Sequence, residues 1–125
     1  PDIPCGENGI NDLLSPSLAA CSAEEKTLTL TFPLRSWMLN PKGTLHGGIM
    51  TTMLDMAMGM LARYERKANL VSTVSLSVDF LRPVRADTAT VSTHVRKAGR
   101  AVVFTEAKLT DPQGRLCADA QATFM

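Results

Sequence analysis

The chain has no excess of charge of either sign. Thirteen lysines and arginines stand against twelve aspartates and glutamates, for a formal net charge of +1. No bulk field draws it to nucleic acid, and any anion site must be built locally. Cysteine is scarce: Cys5, Cys21 and Cys117 are odd in number and far apart, with no C-x-x-C pair or other metal-ligand spacing, so free thiols are expected, two of them candidates for burial. No apolar run reaches the ~20 residues of a membrane span. The opening PDIPCGENGI lacks the basic-then-apolar layout of a secretory signal, and a cytoplasmic setting is expected. Neither an internal repeat nor a low-complexity segment is present, and 125 residues with 45% apolar content fit one domain with a real core.

Strand patterns dominate the rest. Residues 1–17 hold three prolines, two glycines and a short apolar patch (Ile10, Leu13, Leu14) with helical spacing, and read as an N-terminal arm. From Lys26 to Phe32 the run KTLTLTF alternates apolar and polar residues, the period of a half-buried strand that Pro33 ends, with residues 17–24 as a weaker partner. A connection follows, in which Pro41 disfavours a helical Asn40 and Gly43 permits a turn. Beyond a long helix-like run, residues 72–81 place Val74, Leu76, Val78 and Phe80 on one face and Thr73, Ser75, Ser77 and Asp79 on the other. Residues 88–97 and 101–110 form two further strands around a short Ala98-Gly99 loop. Asp111-Pro112-Gln113-Gly114 has the residues of a type I turn and leads to a last strand, 116–125. Strand, long helix, then an antiparallel meander predicts an α+β domain with the sheet wrapped on one helix.

That helix, from about Leu45 to about Arg66, is the most informative stretch. Between His46 and Arg63 its side chains are Gly, Ile, Met, Thr, Leu and Ala with one ionisable exception, Asp55. A carboxylate in such surroundings costs several kcal/mol unless it is paired, hydrogen-bonded or protonated, which marks Asp55 as a candidate functional group. With 3.6 residues per turn and a rise of ~1.5 Å, His46 and Asp55 lie ~13 Å apart on roughly opposite faces and cannot form a catalytic pair within one chain. Gly48, Thr51, Thr52, Asp55, Gly59 and Ala62 share a stripe of small or polar residues, whereas Met50, Met53, Leu54, Ala57 and Leu61 form an apolar stripe. Gly47-Gly48 at the helix start leaves unpaired N–H groups and the positive end of the helix dipole open to an oxyanion or carbonyl oxygen. If that helix start and Asp55 serve one substrate, they must come from two copies of the helix, which predicts a symmetric dimer with composite sites.

The string N-P-K-G-T-L-H-G-G followed by an Asp nine residues after the His, the later S-L-S-V-D-F-L-R-P-V-R, the V-R-K-A-G-R-A hairpin and the D-P-Q-G-R-L-C-A-D-A-Q-A-T-F ending together resemble the hotdog-fold acyl-CoA thioesterases of the PaaI type. The resemblance covers residues 28–125. It implies a hotdog fold, homodimers that pair edge strands and often assemble into tetramers, and metal-free, cofactor-free hydrolysis of a small, medium-chain or aromatic acyl-CoA. Asp55 then matches the family's general base or nucleophile, and Gly47 the backbone donor to the thioester carbonyl. His46 and Asn40 would order the loop, Asn40 also holding the nucleophilic water. Thr73 matches a hydroxyl near the leaving group or water. Gly48 and Thr52 would line the substrate site, and Arg82, Lys97 and Arg100 are the cations expected at the CoA phosphates.

Plainer readings stand beside these. Asp55 could be a structurally paired acid, His46 an N-terminal hydrogen-bonding residue, His94 a structural strand residue, and the methionines adaptable core. Two functional rivals remain: a hotdog protein that binds acyl-CoA without cleaving it, and an enoyl-CoA hydratase of the same fold. A regulator would bring a DNA-binding segment, for which the residues before the first strand are too few. A hydratase would bring Asp and His to one site, which the spacing here opposes.

Overall fold

The computed structural model describes residues 9–125; residues 1–8, including Cys5 and the first half of the expected N-terminal arm, lie outside the described residues. The elements are α1 (Ile10–Leu14), β1 (Ser17–Ser22), β2 (Thr27–Pro33), a 3-10 turn (Ser36–Met38), α2 (Gly47–Arg66), β3 (Thr73–Phe80), β4 (Thr88–Ala98), β5 (Val103–Thr110) and β6 (Leu116–Phe124). Six antiparallel strands form one sheet in the order β1-β2-β4-β5-β6-β3. The expected α+β architecture, one antiparallel sheet around one long helix, is what the chain adopts.

The meander, however, runs only through β4, β5 and β6. β3 pairs with β6 and not with β4, so it becomes a sheet edge. The chain leaves β3 through Leu81 and Arg82, whose N–H groups both donate to Cys117 O, and crosses to the other side of the sheet before β4. The β4–β5 loop is also longer than expected, Gly99 to Val102, closed by Gly99 N–H donating to Val102 O.

α2 fills the concave side of the sheet. Its spacing of Met50, Met53, Leu54, Ala57, Met58 and Leu61 at three- and four-residue intervals makes a face that is buried throughout. Burial of Met53, Leu54 and Met58 stabilises the fold by about 1.5 to 3 kcal/mol each relative to exposure. Ala62, read as part of the small, open stripe, is fully buried instead, four residues on from the buried Met58 and so stacked one turn above it. Against the helix stand Leu28, Leu30 and Phe32, the alternate residues of β2, all buried. Leu14 of α1 is also fully buried and ties residues 10–14 to this core. Of the two described cysteines, Cys117 is buried and Cys21 exposed. Both ends of α2 are capped: His46 at the start, and Lys67 at φ 53°, which lets its N–H and that of Ala68 return to Arg63 O and Tyr64 O. No described helix is long and apolar enough to cross a membrane.

Candidate active site

The loop before α2 is built around one amide side chain. Asn40 Oδ1 accepts from Lys42 N–H (3.0 Å) and Thr44 N–H (3.1 Å), and Asn40 Nδ2 donates to the buried Thr44 Oγ1 at 2.8 Å. Gly43 takes φ +79° to close the turn, with its N–H on Asn40 O. Such a turn needs Asn or Asp at its head and Gly at its tail, the types the sequence supplies. The loop is then sewn to the body by Leu45 N–H to Val84 O and His46 N–H to Met38 O. Thr44 was not singled out from the sequence; its signal was the four-residue spacing from Asn40 across a Gly turn.

His46 caps the helix. Its Nδ1 accepts from Gly48 N–H at 2.9 Å, which requires the neutral ring with the proton on Nε2, and its carbonyl accepts from Ile49 and Met50. Thr51 and Thr52 turn their hydroxyls back to Gly47 O and Gly48 O, both at 2.9 Å. Gly48 N–H is therefore engaged, and among the described residues Gly47 N–H is the amide of this first turn that carries no acceptor. A Cβ on Gly48 would sit 3.1 Å from His46 Nδ1; one on Gly47 would touch the ring of Phe80 at 3.4 Å. Gly47, Asn40, Lys42, Phe80, Arg82 and Arg85 line a cleft of about 380 Å³. Arg85, whose Nη1 reaches Lys42 O at 3.3 Å, joins Lys42 and Arg82 in giving this cleft a positive wall.

Asp55 belongs to a different cleft, of about 240 Å³, with Thr73, Met56, Gly59, Met60, Arg63 and further apolar wall from Leu70, Val71 and Phe124. Thr73 Oγ1 donates to Asp55 Oδ1 at 2.7 Å. Asp55 is half-buried, on the side of α2 that the sheet leaves open. Gly59, one turn on, admits the Phe124 ring, which a Cβ there would meet at 3.3 Å. Thus the sequence candidates fall into two groups. Asn40, His46, Gly47, Gly48, Thr52 and Arg82 gather at the start of α2, and Asp55 with Thr73 at its middle.

Lys97 and Arg100 are brought to neither. They lie on the β4–β5 hairpin, which Arg66 holds to the end of α2 by donating from Nη2 to Gly99 O and to Val102 O. That end is ~28 Å along the helix axis from Gly47. His94 lies on the outer face of the sheet, its Nε2 3.2 Å from Glu106 Oε2, where Arg96 Nε also meets Oε1 at 2.9 Å. Among the described residues no group of three His, Cys, Asp or Glu is placed to hold a metal ion.

The chemistry these parts can perform is limited and specific. A carboxylate with one oxygen fixed by a hydroxyl can take a proton from water or attack a carbonyl carbon. An unpaired N–H at a helix start can stabilise an oxyanion. Along one helix, Gly47 and Asp55 are eight residues and ~12 Å apart, too far to meet on one carbonyl group.

Known proteins resemble this chain in sequence and in fold. The sequence model of the thioesterase superfamily matches residues 42–118, a span that holds the Gly47 turn, Asp55 and Thr73. The medium/long-chain acyl-CoA thioesterase YigI of Escherichia coli strain K12 is 30% identical over 95 residues, 65% of this chain and 61% of that protein. The chain thus spans less than two thirds of YigI, and 41% of a Caenorhabditis elegans relative that is 38% identical over 69 residues, 54% of this chain. A phenylacetic acid degradation-related protein from Ralstonia eutropha superposes with a TM-score of 0.87 at 29% identity, over 93% of this chain and 88% of its own. A Bacillus halodurans protein solved with CoA shares the fold at a TM-score of 0.78 and 22% identity, over 93% of this chain and 74% of its own. With more than half of its length matched by the family model, and with the antiparallel sheet and central helix of its structural neighbours, the chain belongs to the thioesterase superfamily and has its hotdog fold.

Proposed function

We propose that the protein is an acyl-CoA thioesterase that works as a homodimer, in which Asp55 and Thr73 of one copy face Gly47 of the other across the thioester. The observation that carries this reading is the partition of the helix. An oriented carboxylate and an unpaired backbone N–H, the two groups thioester hydrolysis requires, are both present, yet they sit in separate clefts ~12 Å apart along α2. A two-fold axis near the open face of α2 joins each half to the complementary half of a second copy. Of the two sheet edges, β1 and β3, we assign that pairing to β3, which carries Thr73 beside Asp55 and Phe80 beside Gly47 and has Val74 and Phe80 exposed.

The two halves differ in chemistry, which assigns the two ends of the substrate. Lys42, Arg82 and Arg85 surround Gly47 and suit the phosphates of CoA. The cleft beside Asp55, walled by Met56, Met60, Leu70, Val71 and Phe124, suits the acyl group. CoA seen with the Bacillus halodurans neighbour and the acyl-CoA substrates in the name of YigI support this substrate class. Lys97 and Arg100 would reach CoA bound beside Gly47 only from another copy of the chain. The reaction needs no metal or prosthetic group: Asp55 takes a proton from the water that attacks the carbonyl carbon, or attacks that carbon itself to form an anhydride that water then hydrolyses, and in either route CoA departs as a thiolate, which needs no strong acid.

The test is a panel of phenylacetyl-, benzoyl-, short-chain and long-chain acyl-CoAs assayed by thiol release, with wild type and Asp55→Ala. Turnover on at least one thioester that falls by ~10² or more in Asp55→Ala is expected. Near-wild-type turnover in the variant sinks the assignment of Asp55. Binding of acyl-CoA by wild type with no thiol release favours the non-hydrolytic rival.

A further inference from the structure

The Asp55 cleft has two polar lining residues, Arg63 and Asn11, that the hydrolytic reading leaves unused. Arg63 lies two turns beyond Asp55 on α2, and Asn11 comes from α1; both line the cleft and both are exposed. The rest of the lining is largely aliphatic and thioether, from Met56, Met60, Leu70 and Val71. Two neighbouring charged side chains are committed. Arg66 is spent on the carbonyls of Gly99 and Val102, and Glu65 on Lys26 at 3.0 Å. Arg63, by contrast, has no side-chain hydrogen bond or ion pair among the described residues, although it shares the last turn of α2 with Arg66. Arg63 is exposed and also lines the cleft, so its guanidinium is free to meet a ligand bound there.

We propose that Arg63 and Asn11 receive a carboxylate at the far end of the acyl group, so that the preferred substrates are CoA thioesters of dicarboxylic acids. This rests on the acyl-CoA thioesterase reading of the same site and goes beyond it by naming the acyl terminus. The guanidinium offers paired donors that match a carboxylate, and the Asn11 amide adds a further N–H. The apolar lining of the cleft fits the methylene chain of such an acyl group. Asp55 and Arg63 are ~12 Å apart along the helix axis, and a helical side chain leans back toward the helix start. The acyl chain that joins the reacting carbon to the guanidinium is therefore of short to medium length, in keeping with a cleft of about 240 Å³.

The experiment compares matched pairs that differ only at the terminus: suberyl-CoA against octanoyl-CoA, and adipyl-CoA against hexanoyl-CoA. kcat/KM is measured for wild type, Arg63→Met and Arg63→Lys, each variant checked for an unchanged melting temperature. Wild type should favour the carboxylated member of each pair. A charged hydrogen bond typically contributes ~1.5 to 3 kcal/mol, so the carboxylated-to-plain ratio should fall by roughly 10-fold or more in Arg63→Met, mostly through KM, and by less in Arg63→Lys. If wild type cleaves the plain thioesters and shows no preference for the carboxylated ones, or if the ratio ignores Arg63, this inference is overturned while the thioesterase reading stands. If wild type cleaves none of the four, this inference falls, and the thioesterase reading falls with it only if the aromatic and other thioesters of the wider panel also release no thiol.

Discussion

Thr73 Oγ1 lies 2.7 Å from Asp55 Oδ1, and a slip in strand register puts it there. On β3 the residues Leu76 and Val78 turn toward the core, and strict alternation would turn Val74 inward and Thr73 outward. The pairing with β6 shifts between Thr73 and Ser75, so that Thr73 opposes Phe124 while Ser75 opposes Thr123. Val74 is left as the extra residue, 55% exposed, and Thr73 is rotated to the helix side. Bulges of this kind recur where a side chain must be re-aimed at a site. The hydroxyl holds one carboxylate oxygen and leaves the other toward the cleft. Thr73→Val should therefore lower kcat by roughly 10-fold, the scale of one lost hydrogen bond of ~1 to 1.5 kcal/mol, with KM little changed, while Thr73→Ser retains most activity. Steady-state kinetics on any cleaved acyl-CoA decides it. A Val variant at full kcat makes the contact structural only.

That slip is also the measure of what could be read from the residues alone. The strands, the long helix and the turn at Asp111 were legible because each carries a strong local signal: alternation, three-and-four spacing, and Pro and Gly at fixed turn positions. The buried position of Ala62 and the separation of β3 from β4 were not legible, because small residues are silent about which face they occupy and strand order is set by packing between distant segments. Thr73 was put on the site by family resemblance, while its own strand pattern pointed it to solvent. A bulge has no signature in a run such as TVSLSVDF. Arg82 was rightly read as a cation near a strand end, but its neighbour Lys42 comes from the loop before α2, which no periodicity describes.

The helix cap ties stability to the proposed oxyanion site. His46→Ala removes the acceptor for Gly48 N–H and should cost about 1 kcal/mol of stability, the usual magnitude for a lost N-cap. Gly48→Ala places a methyl group 3.1 Å from His46 Nδ1 and should displace the same ring. Both variants are expected to lower kcat as well, since the first turn that presents Gly47 N–H loosens. Because they act through one contact, the double variant should be less destabilised than the sum of the single ones. Denaturant unfolding of the four proteins measures this, and strict additivity would show that the cap and the glycine act separately.

Acid sensitivity should come in part from the β5–β6 turn. Burial by itself would raise the carboxyl of Asp111, but hydrogen bonds from the N–H and side chain of Arg115, the charge of that guanidinium and the N–H of Gln113 outweigh it and hold the carboxyl below its ordinary value of 3.8. A carboxyl depressed in the folded state stabilises the protein above its unfolded value and loses that contribution as pH falls through the lower folded one. Asp111→Asn should thus be less stable than wild type at pH 7, and the gap should close as pH drops below about 4. Urea unfolding at a series of pH values tests it; a gap that stays constant to pH 2 would exclude the ionised Asp111–Arg115 pair as its source. Cys117 follows from the same turn. Burial, then the charge of Asp111, raises its thiol above the ordinary 9.0, so the Asn variant should make it titrate lower, as seen by the pH dependence of thiol alkylation in urea-free buffer.

The separation of Asp55 from Gly47 yields the most direct test of the composite site. Asp55→Ala disables one half and Gly47→Val the other, because a branched side chain at Gly47 fills the space beside the Phe80 ring, where even a single Cβ makes contact at 3.4 Å. Each homodimer should be inactive or nearly so. When differently tagged copies are co-expressed and the mixed species is purified, the two defects in a symmetric pair fall together on one of the two sites, and the other site carries Asp55 from one copy and an intact Gly47 from the second. The mixed dimer should then recover about half of the wild-type activity per dimer, a statistical consequence of one intact site in two. Sites confined to one chain predict no recovery, since every chain would still carry a defect. The mixed dimer must be verified by its two tags before assay, and its kcat should be halved with KM unchanged, because the surviving site is built of wild-type residues throughout.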